Sequence, residues 1–184
     1  MTHDPAADAP SGRAGEPGPS LIIRPETPAD HAAVRQIHLL AFGGPAEAGL
    51  VDSLRAAPRS LSLVAVEAGI VVGHVLFSAA RVQGRPLRVM ALGPVAVLPH
   101  RQRAGIGSAL LRRGLEVCLQ AGEEAVVVVG HPAYYPRFGF RPGNTFGLRC
   151  QFAVPDEVFM AAELRPGALA GGGDLRYAAA FAAL

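Results

Sequence analysis

Leu92–Leu111, LGPVAVLPHRQRAGIGSALL, reads as a strand, a basic loop and the start of a helix, and its reading decides how the rest of the chain is arranged. Val95, Ala96 and Val97 suit a buried strand, but Gly93 and Pro94 interrupt it. Proline donates nothing to a sheet ladder and belongs at a bulge or an edge. Pro99 ends the pairing, and His100, Arg101, Gln102 and Arg103 then supply hydrogen-bond donors and positive charge. Gly105 and Gly107 open a helix that the periodicity predicts to run from Gly105 to Gln120. Ile106, Ala109, Leu110, Val117 and Ala121 share its apolar face, with Ser108, Arg112, Glu116 and Gln120 opposite. No Ser, Thr, Asp or Asn stands just before Gly105, so the first N–H groups lack a cap. A helix start carries roughly half a positive charge, and glycines let a phosphate approach the backbone. The stretch is therefore predicted to hold a phosphate-bearing ligand.

Rival phosphate motifs fit less well. A dinucleotide G-x-G-x-x-G needs a third glycine where Leu110 stands, and no acidic residue follows at the required distance. A Walker loop needs a lysine, and the chain has none: all 17 of its basic residues other than histidine are arginine. That also removes Schiff-base, pyridoxal-phosphate and lysine-nucleophile chemistry. A purely structural role for the glycines, as tight strand-to-helix packing, leaves the basic loop and the uncapped helix unexplained.

With 184 residues, 50% of them apolar, the chain suffices for one domain with a real core. Residues 21–184 are expected to form that domain. Residues 1–20, polar and rich in Ala, Gly and Pro, without the charged start and apolar core of a secretory signal, are expected to be a disordered leader. The net charge of +2 is small and the arginines are scattered, which argues against a nucleic-acid partner. No apolar run is long enough to span a membrane. Cys118 and Cys150 do not suggest a disulfide framework, so a reducing cytoplasm is the expected setting. His31, His38, His100 and His131 have no metal-ligand spacing with either cysteine, and no metal is expected.

Taken in order, LIIR from Leu21 is a short strand, followed by a helix with Thr27 as cap, Pro28 in its first turn and Asp30 completing a capping box. Val34, Ile37 and Phe42 mark its apolar side, and Gly43-Gly44 end it. A second helix spans Ala46 to Ala56, with Leu50, Val51 and Leu54 inward. Leu61–Glu67 and Ile70–Arg81 are strands, and Gln83-Gly84 turns the chain into the Val95 strand. Three antiparallel strands thus feed the loop and helix, and Ala125–Gly130 follows as a parallel strand. Tyr134–Phe138 forms a short helix stopped by Gly139. Phe146–Gln151, Glu157–Leu164 and Asp174–Tyr177 complete the sheet.

Gln102-Arg103-Ala104-Gly105-Ile106-Gly107 matches the Q/R-x-x-G-x-G/A signature of the GCN5-related N-acetyltransferases, and Tyr135-Pro136-Arg137-Phe138-Gly139-Phe140 is similar to that family's Y-x-K/R-x-G-F segment. Gly73–Ser78, GHVLFS, the LGPVAVLP run and the tail GLRCQFAVPDE resemble most the YhbS-like group within it. The resemblance extends from about Leu21 to the end. It implies an α/β (α+β) fold, a mixed and mostly antiparallel sheet with a central splay, flanked by helices. It also implies acetyl coenzyme A as cosubstrate, with its pyrophosphate on Gln102, Arg103, Ala104, Gly105, Ile106, Gly107 and Ser108. The pantetheine arm would lie in the splay beside Val95, Ala96 and Val97, pairing with strand N–H and C=O groups.

By the same resemblance Tyr135 is the general acid, and the two early helices help wall the acceptor site; the alternative for Tyr135 is a packed aromatic, a role that suits Tyr134 better. Many relatives place a basic carboxylate on or near the central strand, but Val89–Val97 has none. Glu67 and His74 are the remaining candidates. Each has an alternative, Glu67 as a solvated turn residue and His74 as a satisfied core histidine. The implied partner is an amine acceptor, a small molecule or an amino terminus; a homodimer is one option for the assembly. The competing function is a non-catalytic acyl-coenzyme A sensor or interaction module, and O-acetyl or longer-acyl transfer is a third.

Overall fold

A computed structural model describes residues 20–183; the expected leader therefore lies outside the described residues apart from Ser20. β1 (Ile22–Pro25) is an edge strand that runs into the first helix through a tight acidic cap. The Thr27 N–H and hydroxyl both donate to Asp30 Oδ2 at 2.8 Å, and Arg24 forks onto the same carboxylate at 2.7 and 2.8 Å. That guanidinium holds the Asp30 carboxyl well below the usual carboxylate range. α1 (His31–Phe42) ends at Gly43 in the left-handed region, and α2 (Ala46–Arg55) follows. Val34 and Ile37 are buried as expected, whereas Phe42 is 44% exposed, and His38 takes the inward position beneath it.

β2 (Leu61–Glu67), β3 (Ile70–Val82) and β4 (Val89–Val97) form the antiparallel meander. Between the pairs Val75↔Val95 and Phe77↔Leu92, Leu76 alone faces Gly93-Pro94, so the proline sits in a bulge of β4. α3 (Ile106–Gln120) crosses over, and β5 (Ala125–Val129) returns parallel to β4. The tail adds β6 (Arg141–Pro142), β7 (Leu148–Arg149), β8 (Phe159–Glu163) and β9 (Gly173–Arg176). The sheet order is β1-β2-β3-β4-β5-β8-β6, with β9 against the end of β3 and beside β7. The strand expected over Phe146–Gln151 shrinks to Leu148–Arg149, because a 3₁₀ turn consumes Gly143–Phe146. β8 and β9 shift by one or two residues from their expected bounds, and β6 has no counterpart in the sequence reading.

α3 covers one face of the sheet with Ile106, Leu110 and Leu111 against Leu63, Val75, Phe77 and Leu92. Its inward stripe is Ile106, Leu110, Leu111, Gly114 and Cys118, rather than one running through Val117 and Ala121. α1 and α2 cover the other face with Val34, Leu50 and Leu54 against Val64 and Leu76. The tail closes a further cluster of Val89, Ala125, Leu148, Phe159, Leu169 and Leu175.

A polar chain is buried between α1 and the meander. Ser62 Oγ lies 2.6 Å from Glu26 Oε2, and Glu26 receives Arg55 at 2.9 and 3.1 Å. An ionised Glu26 can only accept, so Ser62 donates to it and accepts from His74 Nε2 at 2.8 Å. His74 Nδ1 then accepts from His38 Nε2, also at 2.8 Å, which makes both rings neutral and leaves His38 Nδ1 as a lone pair without a partner.

Burial lowers His38 to about 4 and places His74 well below the ordinary histidine value. Between about pH 6.5 and 4 the unfolded chain therefore binds protons that the folded chain refuses. Stability is full above pH 6.5 and falls as pH drops through that window, by up to about 1.4 kcal/mol per pH unit for each histidine. Asp30, with its depressed carboxyl, loses its contribution only below about pH 4, so it plays no part in the first downturn near pH 6.5. Thermal unfolding scanned against pH should show a plateau that turns downward near 6.5. A melting temperature that stays flat down to pH 5 is incompatible with two neutral buried histidines.

Candidate active site

β4 and β5 pair only over Val89–Ala91 and Ala125–Val127. β4 continues on β3 as far as Val97, while β5 continues on β8 as far as Val129, so the two strands part beyond Ala91 and Val127. The bulge at Gly93-Pro94 lies where they separate. Val95 and Val97 are half-buried at the parted edge, and Ala96 is buried on the alternate position.

The basic loop leads from this split to the start of α3. Pro99–Arg101 make a 3₁₀ turn, and Arg101 donates to Glu67 at 2.6 Å. Glu67 is thus neither a solvated turn residue nor a base in the cleft; it anchors the loop. Gln102 folds back, its Nε2 donating to the Val97 carbonyl at 3.2 Å, so that carbonyl is engaged by the loop rather than left bare at the strand edge. Arg103 and Gly105 both adopt left-handed backbone, with φ of 62° and 82°. At Gly105 a side chain would be strained, and glycine relieves that. Among the described residues, none of the backbone N–H groups from Arg103 to Ser108 reaches a backbone acceptor, and no side chain caps α3. The signature thus forms a cradle of unpaired donors at a positive helix end.

The adjacent tyrosines go to different places. Tyr134 leans over the start of α3, its hydroxyl 3.4 Å from Ser108 Oγ, with Arg137 stacked 4.8 Å from its ring centre. Tyr135 turns into the split. A methyl group at Gly130 would stand 2.4 Å from its Cε2, so the bare glycine at the end of β5 makes room for the ring, and Phe140 meets it edge-on at 5.6 Å. Burial, and then Tyr134 beside it, push the Tyr135 hydroxyl up to about 12.

Tyr135 lines a cavity of about 830 Å³. One wall is the split itself, Leu92–Val95 and Val128–Gly130. The other comes from α1 and α2, through Phe42, Glu47 and Leu50, and from the tail, through Phe152, Tyr177 and Phe181. Glu47, Phe152, Tyr177 and Phe181 escaped the sequence reading. Glu47 falls there within the second helix, Tyr177 at the end of a strand, and Phe152 and Phe181 outside any expected element. His74 is absent from the cavity lining and belongs to the buried polar chain. Among the described residues no group of three or more potential ligands could hold a metal ion, and no helix is long and apolar enough to cross a membrane.

A mostly antiparallel sheet split between two parallel strands, with an amide cradle beside the split, defines the architecture of coenzyme A-dependent acyltransferases. The profile of the acetyltransferase (GNAT) domain matches residues 22–143, and the chain belongs to that family. It is 39% identical over 135 residues to the uncharacterized N-acetyltransferase YjhQ of Escherichia coli K12, covering 70% of this chain and 74% of that one. The crystal structure of Escherichia coli YhbS in complex with CoA superposes with a TM-score of 0.86 at 34% identity, over 91% of this chain and 94% of that one. A Brucella melitensis GNAT acetyltransferase in complex with acetyl-CoA gives 0.74 at 38% identity, over 88% and 98%.

Proposed function

We propose that the protein transfers an acetyl group from acetyl coenzyme A to a primary amine by direct attack, in a reducing cytoplasm. One observation carries this: the parted edge of β4 lines, at Leu92–Val95, a cavity that also receives the Tyr135 ring, and the same strand runs on through Val97 into the unpaired amides of residues 103–108. The cradle suits a diphosphate, because N–H groups at a helix start favour anions. Ala104, Ile106, Gly107 and Ser108 would offer backbone donors, and Arg103 would add charge from the rim. When bound, acetyl coenzyme A supplies an activated acyl group as a thioester. The edge at Val95, with Ala96 and Val97 fixing the strand behind it, would orient the arm by backbone pairing.

Tyr135 holds a proton at its hydroxyl at every physiological pH. Its task is to donate a hydrogen bond to the departing sulfur. β4 carries no carboxylate, which on its own would favour a non-catalytic acyl-coenzyme A module; Glu47, which lines the cavity from α2, supports the enzyme instead.

The test is thermal protection followed by turnover. At a hundredfold excess over its Kd, acetyl coenzyme A should stabilise the protein by about 2.7 kcal/mol, a rise of about 5–10 °C for a domain of this size. Free coenzyme A should then be released in the presence of a primary amine. Absence of any shift at millimolar acetyl coenzyme A overturns the reading.

A further inference from the structure

We propose that the acceptor half of the cavity selects a primary amine bearing a single positive charge on an aromatic or branched apolar body, its ammonium received by Glu47. This rests on the acetyltransferase reading above and names its substrate class. Three features of the lining carry it.

The first is the wall itself. Phe152 and Tyr177 lie 5.1 Å apart between ring centres, and Tyr177 and Phe181 5.2 Å, so the tail presents a continuous aromatic surface. Phe42 faces it from α1, 44% exposed and stacked on His38 at 5.8 Å. A large apolar side chain left open at the mouth of a cavity is a ready surface for an apolar ligand.

The second is the charge inventory. Among the described residues Glu47 is the only carboxylate in the lining, His131 is the only basic side chain there, and no arginine lines the cavity although the chain has 17. An α-amino acid acceptor would bring a carboxylate that finds no guanidinium or ammonium there. A polyamine would bring several ammonium groups to one acid. Either mismatch leaves a charged group desolvated without a partner, a handicap on the order of tenfold to a hundredfold in affinity.

The third is that Glu47 has no partner among the described residues. Among the described residues every other carboxylate except Glu157 already holds an arginine, an amide or a backbone N–H. Glu47 takes part in no such contact, so it can receive an ammonium without giving up a structural bond. Aromatic faces around it add cation–π attraction for the same ligand.

In the reaction the ammonium loses one proton through Glu47 to solvent, its nitrogen lone pair forms the C–N bond as the C–S bond breaks, and the nitrogen then sheds a second proton to solvent, which balances the one the sulfur takes up. The leaving thiolate ends protonated, from Tyr135 or solvent, and Tyr135 regains any proton it gives. The net products are the amide, the free thiol and one proton.

The test compares phenethylamine, L-phenylalanine and spermidine at saturating acetyl coenzyme A, reading thiol release by the full chain. The expected result is a kcat/KM for phenethylamine at least about tenfold above both others. Glu47→Gln should raise the phenethylamine KM by about tenfold or more while acetyl coenzyme A still protects the variant thermally, and Glu47→Asp should restore part of the loss. Equal or better turnover of phenylalanine or spermidine, no turnover of phenethylamine, or an unchanged preference in Glu47→Gln overturns the inference. If acetyl coenzyme A protects the protein and one of these outcomes follows, only the substrate class falls. If it gives no protection, the acetyltransferase reading falls with it.

Discussion

Tyr135→Phe should lower kcat by about 10²-fold and leave the KM for acetyl coenzyme A within about twofold. The substitution removes one oxygen and keeps the ring under Gly130 and against Phe140, so the wall of the cavity survives. The expected loss is large because of what burial does to the hydroxyl. With Tyr135 raised to about 12 and a thiol near 8.5, complete proton transfer to a free thiolate is uphill by about 5 kcal/mol. The same burial makes the hydroxyl a permanent donor in a site of low dielectric, where a hydrogen bond to developing negative charge is strongest.

In the proposed mechanism the proton would therefore stay on the tyrosine through most of C–S cleavage, and the hydroxyl would stabilise charge as that charge appears. Two results follow from the same cause. The pH profile of kcat should show no descending limb between about pH 7 and 10 assignable to this group, because it begins to ionise only near 12. Gly130→Ala should reproduce much of the Tyr135→Phe loss by another route, since its methyl group would meet the ring at 2.4 Å and push the hydroxyl aside. A Tyr135→Phe enzyme within threefold of the parent assigns the ring to packing alone.

The pattern of residues was legible where periodicity is long and chemistry is local. The meander, α3 and the parallel return were readable because each spans several turns or pleats, and the uncapped α3 start was readable because capping is a matter of neighbours in sequence. β6 and β7, two residues each, are too short for any period to register. The inward stripe of α3 was misplaced for a different reason. Gly114 has no hydropathic weight, yet α3 lies close against β3 there; an added methyl group would stand 2.3 Å from Phe77 Cε2. Packing distance turned the helix so that Leu111 and Cys118 point inward, and hydrophobicity alone favoured Val117. The acceptor wall was hidden because its parts are far apart in sequence. Glu47 and Phe181 meet only when α2 and the tail are laid against the split sheet. The Glu26–Ser62–His74–His38 chain is likewise a tertiary fact, joining side chains up to 36 residues apart.

Gly107→Asp should weaken acetyl coenzyme A binding by about 10³-fold while leaving the protein as stable as the parent, or slightly more so. The two halves of that expectation have opposite signs for one reason. A carboxylate in the first turn of α3 is welcome to the helix, since it meets the positive end of the dipole and free N–H groups, worth about 0.3–1 kcal/mol. The backbone permits it: residue 107 is helical, and a Cβ there would sit 3.5 Å from the Tyr134 hydroxyl and 3.7 Å from Val97 Cγ2, ordinary contacts. The same carboxylate would occupy the cradle offered to the diphosphate. Like charges about 4 Å apart at an effective dielectric near 20 repel by about 4 kcal/mol, and about 1.4 kcal/mol is tenfold in affinity. Gly107→Ala separates charge from bulk: it should bind more weakly than the parent but far better than the aspartate variant. Raising the salt concentration should narrow the gap between the two variants, because screening acts on the repulsion and not on the methyl group. Melting temperatures measured without ligand, alongside calorimetric titration with acetyl coenzyme A, read both halves in one preparation. An aspartate variant that binds acetyl coenzyme A as tightly as the parent would place the diphosphate somewhere other than the start of α3.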